Sequence, residues 1–431
     1  MSIETRLPGR IGWLIHRIIA SYWYLAVSAV LSAVPAGLFL LWLDGNGATG
    51  WLLDRGWGTV ASGETAKDSV AVMAGVNAAF ITLYFSITLI VLTMAASNLG
   101  VRLIDRWLDR GLTRVSIAGL SFTLIVTLIV LLATDAEDNI FEVPQLSVGA
   151  VFVLQAINVA MLSVSLHDLG RTMFVDTSID RIAQDARSRS LSLVGIGKRS
   201  PDWGTVIRAP REGYIESVDL DRLRKMVDEN GRARVEAAPG QHVMKGQAIL
   251  RVEPDLDEDK VAQLAPIGPY RSSNQGVVFH VRLLVEIGAR ALSPAINDFY
   301  TAITCADKLA SIMRSQADTW VAPDAEPALE CDRHIELPGQ DFRGLFDDPL
   351  SAFRQAACQY PSVTIRMIGN YGRVAHDLRR HGHSDDGLPG FLRLLARQLA
   401  DHGASVAQYE HDINDIEKTF DAAFPNAKAG G

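Results

Sequence analysis

The chain has 431 residues, of which 48% are hydrophobic and 21% charged, and its mean hydropathy is +0.14. That is too apolar for an ordinary soluble enzyme and excludes a disordered chain. Three cysteines exclude a disulfide scaffold, and 41 basic against 49 acidic residues, a net charge of −8, argue against nucleic acid as a partner.

The apolar residues concentrate in the first 170 positions. Crossing about 30 Å of hydrocarbon takes roughly 20 apolar residues in a helix. Residues 22–43, 70–96, 115–134 and 146–166 meet that length, and none of these stretches holds an Asp, Glu, Lys, Arg or His. Residues 1–176 therefore read as a four-helix transmembrane domain, with Pro35 kinking the first span. Lys and Arg favour the cytoplasmic side of a membrane. Arg6, Arg10, Arg17, Arg102, Arg106, Arg110, Arg114, Arg171, Arg181, Arg187 and Arg189 fall on one side, and only Arg55 and Lys67 on the other. Both termini are expected in the cytoplasm, with the first span an uncleaved signal-anchor.

Two features mark the spans themselves. Gly75, Ala79, Thr82, Ser86, Thr93 and Ser97 share one face of the second span and its end, and Gln155 and Asn158 sit one turn apart in the fourth. Such side chains serve close helix packing and interhelical bonding, or they line a path for water and a small ion. The absence of ionisable groups inside the spans argues against a proton-coupled carboxylate relay. Between spans two and three, Arg102, Arg106, Arg110 and Arg114 recur every four residues. They fit a surface helix held by anionic lipid, or a basic ring at the cytoplasmic mouth of a pore.

Beyond span four, residues 177–204 predict a linking helix. Residues 205–254 alternate apolar and polar around Gly213, Gly240 and Gly246, the pattern of a small β-domain. Gly240, Val243, Gly246 and Ile249 resemble the spacing of biotinyl- or lipoyl-type barrel-sandwich domains, but Lys245 does not stand where a carrier lysine would. The expectation is a structural β-barrel without a prosthetic group, and no cofactor is assigned. Residues 270–320 predict a helical hairpin, 321–349 a proline-rich, poorly ordered connector, and 350–425 a set of C-terminal helices. The fold class expected is an α-helical membrane domain followed by a cytoplasmic α+β region with a helical C-terminal part. Cys305, Cys331 and Cys358 lack metal-ligand spacing and are expected as free thiols. His381 and His383, beside Asp385 and Asp386, read as a solvated turn, with a metal site as the sharper alternative; no metal is assigned.

Three stretches carry a family pattern. They are Phe85-Ser86-Ile87-Thr88-Leu89 with Ser97, Arg102 and Asp109-Arg110; Val218-Asp219 with Leu223; and Glu286-Ile287-Gly288-Ala289-Arg290-Ala291-Leu292-Ser293-Pro294-Ala295-Ile296-Asn297-Asp298 with Thr301-Ala302 and Asp307. Together they resemble the bacterial membrane-protein family known as domain of unknown function 2254, over nearly the whole chain. The chain departs from the family pattern at Gly100-Val101, Gly276 and Phe299. The resemblance implies a multi-pass protein of the bacterial inner membrane and brings no activity with it.

Within the signature, Pro294 sets a turn, Asn297 or Asp298 caps the helix that follows, and Glu286 pairs with Arg290 one turn on. The sharper alternative is a ligand or active site built from Arg290, Ser293, Asn297, Asp298 and Thr301. No residue is assigned as catalytic. Three functions stay open beside the lipid bilayer as a partner. The first is a homo-oligomeric pore or channel-like protein with a cytoplasmic regulatory domain. The second is a membrane-anchored sensor or scaffold. The third is a membrane-bound enzyme at the Arg290/Asn297/Asp298 corner.

Overall fold

The computed structural model describes residues 22–99, 111–172, 175–188, 193–196, 202–227, 231–253, 255–269, 277–321, 323–329, 334–339 and 341–425. Two compact units divide the chain, one within Ile11–Phe174 and the other within Val175–Gly431.

The described part of the first unit is helical. α1 (Tyr22–Leu43) holds Pro35 and passes through a short π-helical stretch, Asp44–Ala48, into α2 (Thr49–Asp54). Gly47, at φ 100°, makes the break; a residue without a Cβ adopts that angle freely. α3 (Gly63–Leu99), α4 (Gly111–Leu132) and α5 (Gln145–Thr172) follow. Four helical stretches here are long and apolar enough to cross a membrane. α4 packs against α1, α3 and α5, and buries Ser116, Leu120, Thr123, Val126, Thr127 and Val130. Glycines allow the close approach: a Cβ on Gly119 would stand 2.9 Å from Met161 Cε, and one on Gly37 3.0 Å from Ile129 Cδ1. Leu31, Leu38, Phe39, Val72, Leu83, Leu89 and Val153 cover the outside. Such an exterior suits a solvent of lipid tails, which are as apolar as leucine.

The second unit opens with α6 (Val175–Arg187) and β1 (Leu193–Ile196). A β-rich stretch follows: β2 (Thr205–Arg208), β3 (Gly213–Ile215), α7 (Leu220–Val227), β4 (Arg232–Val235), β5 (His242–Val243), β6 (Ala248–Glu253), α8 (Glu258–Ala262) and β7 (Ile267–Gly268). Then come α9 (Val277–Ala291), α10 (Phe299–Ser315), β8 (Glu326–Leu329), β9 (Ile335–Glu336) and α11 (Phe342–Ala357). α12 (Pro361–Arg380), α13 (Leu388–Val406) and α14 (Glu410–Ala423) complete it.

The strands form a four-stranded sheet in the order β2-β6-β4-β9, a three-stranded sheet in the order β5-β3-β7, and the pair β1-β8. β4 and β9 run parallel, and the other neighbours antiparallel. Ile207, Ile215, Leu223, Val235, Val243, Leu250 and Ile267 share one buried core between the two larger sheets and α7. Among the described residues no closed barrel forms; each sheet keeps its own edges. The proline-bearing segment 321–349 contributes β8, β9 and the start of α11, whose first turn is capped by Asp341 accepting from Gly344 N at 2.9 Å. In the helical part, α9 and α10 form a hairpin packed against α6, with α11 on α9 and α12 on α10. α12, α13 and α14 pack on one another.

Candidate functional site

The signature corner lies between α9 and α10. As α9 ends, Ser293 O accepts from Asn297 N at 2.9 Å and Ala291 O accepts from Asp298 N at 2.8 Å, closing a tight turn over Pro294. Asn297 sits at φ 51°, the one non-glycine positive φ among the described residues; its short polar side chain makes it one of the residue types that tolerate this region. Asp298 is the N-cap of α10. Its carboxylate accepts from Thr301 N at 3.1 Å and from Thr301 Oγ1 at 2.6 Å, so each oxygen has a partner within the first turn. Tyr360 donates its hydroxyl to Leu292 O at 2.9 Å and ties the turn to the start of α12. Glu286, Arg290 and Ser293 are half-buried, while Pro294 is exposed. Beneath the corner, burial pushes the Cys305 thiol far above its usual range, and the acids Asp176 and Asp298 push it further, so it holds its proton.

In the first unit, the hydroxyl face of α3 is exposed. Each hydroxyl donates back to its own helix: Thr82 to Ala78 O at 3.0 Å, Ser86 to Thr82 O at 2.8 Å, Thr93 to Ile90 O at 2.8 Å and Ser97 to Met94 O at 2.9 Å. The four hydroxyl donors of this face are therefore satisfied within the helix. Asn158 is buried and donates to Asn77 Oδ1 at 3.3 Å, and Asn77 donates to Leu120 O at 3.1 Å, so α5, α3 and α4 are joined through two amides. Neither amide atom of Gln155 has a hydrogen-bond partner among the described residues. Of the basic row, Arg102, Arg106 and Arg110 lie outside the described residues, and Arg114 is half-buried in the first turn of α4.

A third polar set escaped the sequence reading. Asp44, just past α1, accepts from Thr49 Oγ1 at 2.7 Å, Leu146 N at 3.0 Å, Ser147 N at 2.9 Å and Ser147 Oγ at 2.6 Å. It thus caps the N-terminus of α5 from a position about a hundred residues away in sequence. Beside it the buried Gln145 accepts from Thr59 N at 2.8 Å and Val60 N at 3.1 Å, and donates to Val60 O at 3.1 Å. Asn77 was missed as well; a lone amide inside an apolar span was the available signal.

The remaining candidates disperse. His381 bonds to Asp377 O at 2.8 Å through Nδ1, and Asp385 is held by Arg379 at 2.5 Å. No group of three or more metal-ligating side chains is found among the described residues. A hydrogen bond from Arg314 holds the Asp377 carboxyl below its ordinary value. Lys245 is exposed, at the turn between β5 and β6.

The family model described as predicted membrane protein (DUF2254) matches residues 19–371. The chain is also similar to uncharacterised proteins of Mycobacterium bovis and of two strains of Mycobacterium tuberculosis. Each is 26% identical over 383 residues, covering 82% of this chain and 70% of the relative. No solved structure matches.

Proposed function

We propose that this chain, which belongs to the DUF2254 family of predicted membrane proteins, is a homo-oligomeric, channel-like protein of the bacterial inner membrane. Both termini are cytoplasmic in this reading, and the second unit is the regulatory domain, its four- and three-stranded sheets serving as a barrel-sandwich-like module. The observation that carries it is the lane of Gly75, Ala79, Thr82, Ser86, Thr93 and Ser97, all exposed on α3. Small residues let a second helix approach closely. A hydroxyl that has donated to its own helix keeps an outward oxygen, available to water or to a permeant ion. Copies of α3 around an axis put Thr82 and Ser86 on the path and Arg102 or Arg106 at the cytoplasmic mouth, which favours anions.

The protein reconstituted in liposomes is expected to conduct. Arg106→Glu shifts the reversal potential toward cations. A monodisperse monomer in mild detergent, or an oligomer with α3 facing lipid, overturns the reading. A membrane-anchored scaffold is the second reading, favoured by the bonding of Asn77 to Asn158 within one chain, which leaves those amides no need of a second copy. An enzyme at the Arg290/Asn297/Asp298 corner has less behind it, because Thr301 takes both carboxylate oxygens of Asp298.

A further inference from the structure

The signature corner carries an exposed apolar hook whose residues do no capping. Ile296, Phe299 and Tyr300 are 36%, 37% and 72% exposed, and the two rings are in contact, tilted by 37° with centroids 4.4 Å apart. Pro294 and Ala295 are exposed beside them. The turn that presents this edge is held by Asp298, Tyr360 and the αL conformation of Asn297.

The register of α6 against α10 says which end of the second unit the hook occupies. Asp180 pairs with Lys308, Arg187 donates to Ser311 Oγ at 2.8 Å, and Gln316 donates to Ala186 O at 3.3 Å. Asp176 acts electrostatically on Cys305. The two helices therefore run parallel, and the N-terminal end of α10 lies beside the N-terminal end of α6. His280 near Asp185, at 3.9 Å, gives α9 the opposite direction, so its C-terminal end returns to the same place. Only residues 173 and 174 separate the end of α5, at Thr172, from the start of α6, at Val175.

We infer that Ile296, Phe299 and Tyr300 insert into the headgroup region of the phospholipid bilayer, as an interfacial foot for the second unit. Aromatic side chains with one polar end favour that depth, and Tyr300 supplies such an end. The inference rests on the helices of the first unit lying in a membrane and is independent of conduction.

The test uses the full chain with Cys331→Ser, in which Cys305 and Cys358 are buried. Ile296→Cys, Phe299→Cys and Tyr300→Cys are labelled one at a time with a small fluorophore. The protein is reconstituted in vesicles of phosphatidylethanolamine with a minor share of phosphatidylglycerol, some lipids bearing a nitroxide near the headgroup. Met244→Cys and Tyr409→Cys, exposed elsewhere on the same unit, serve as aqueous references, and Val153→Cys on α5 as the span reference. Lipid quenching at the three hook positions is expected to exceed that at Met244 and Tyr409 by about twofold or more, with matching protection from aqueous iodide. Equal quenching at all five positions overturns the inference. So does a disulfide between copies at Tyr300→Cys without lipid quenching, which makes the partner a second chain. Failure of Val153→Cys to be quenched would sink the membrane reading itself, a different result from failure at the hook alone.

Discussion

Two aspartates cap helices in this molecule, and they do so in opposite ways. Asp298 caps the helix it precedes, with both bonds made to a residue three positions on. Asp44 caps α5 across 102 and 103 residues of sequence, from a buried position between helices that are otherwise apolar. The first kind of cap is local and tolerates water nearby. The second exists only when the bundle is assembled, and its donors have no water to fall back on. A polar group's weight in this fold therefore follows from where its partners end up when it is removed.

Substitution should accordingly cost most at Asp44. Asp44→Ala strands Leu146 N, Ser147 N and the Ser147 hydroxyl in a buried setting, each worth about 1–3 kcal/mol when unsatisfied, so a loss of about 3 kcal/mol or more is expected. The thermal midpoint for staying monodisperse in detergent measures it. Asp44→Asn keeps one acceptor and should lose about half as much. If Asp44→Ala costs no more than the same change at Asp298, the contrast between the two caps is broken.

At Asp298, alanine should cost about 1 kcal/mol, within the ordinary range for an N-cap, and Asn or Ser should restore most of it. Hydrogen exchange should rise at the first turn of α10 and leave α5 unchanged. A loss spread over the whole second unit would mean that the corner does more than start a helix.

These two sites also mark what was legible in the sequence. The span at 22–43 coincides with α1, because twenty-two uncharged and mostly apolar residues leave the backbone one way to satisfy itself in lipid. The span at 70–96 sits inside the longer α3, Gly63–Leu99, because a helix continues into polar residues where its backbone still bonds internally. The cap at Asp298 was readable because cap and helix are neighbours. Asp44 falls just outside the first apolar run, and nothing local in the sequence points to Ser147. The same reason hid β9, whose parallel pairing with β4 joins Ala233 to Ile335. Alternation revealed the strands of the β-rich stretch, but the division into two sheets depends on partners that alternation does not name.

Below both caps in size lies the amide pair of α3 and α5. Asn158→Val removes the donor to Asn77 Oδ1 while Asn77 keeps its own bond to Leu120 O. Interhelical bonds of this kind in membranes average about 0.6 kcal/mol, so the loss should fall below that of Asp298→Ala despite complete burial. The measurement is the same detergent midpoint. A loss equal to that at Asp44 would mean that burial alone, without a capped helix end, sets the cost.

The smallest effect is expected where a bond is remote in sequence but open to water. Asp307 on α10 receives Arg366 of α12 through two bonds, at 2.8 and 2.7 Å, and Asn370 at 2.9 Å. Burial alone would raise its carboxyl, but the bonds from Arg366 and Asn370 and the charges of Arg366 and Arg373 outweigh it and hold the group below its ordinary value. A depressed folded value means the pair stabilises the fold in full above the unfolded value, about 3.9, and that this is lost as pH falls through the lower folded one. Arg366 is about half exposed, so the contribution at neutral pH is of order 0.5 kcal/mol. Asp307→Asn should therefore lower the thermal midpoint slightly at pH 6, with the gap from the parent chain closing below about pH 4. A gap that stays constant down to pH 3 would mean the substitution acts through packing and not through charge. If the gap closes as expected, distance in sequence is separated from burial: Asp307 and Asp44 both reach across the fold, and only the one without water to replace its partners governs stability.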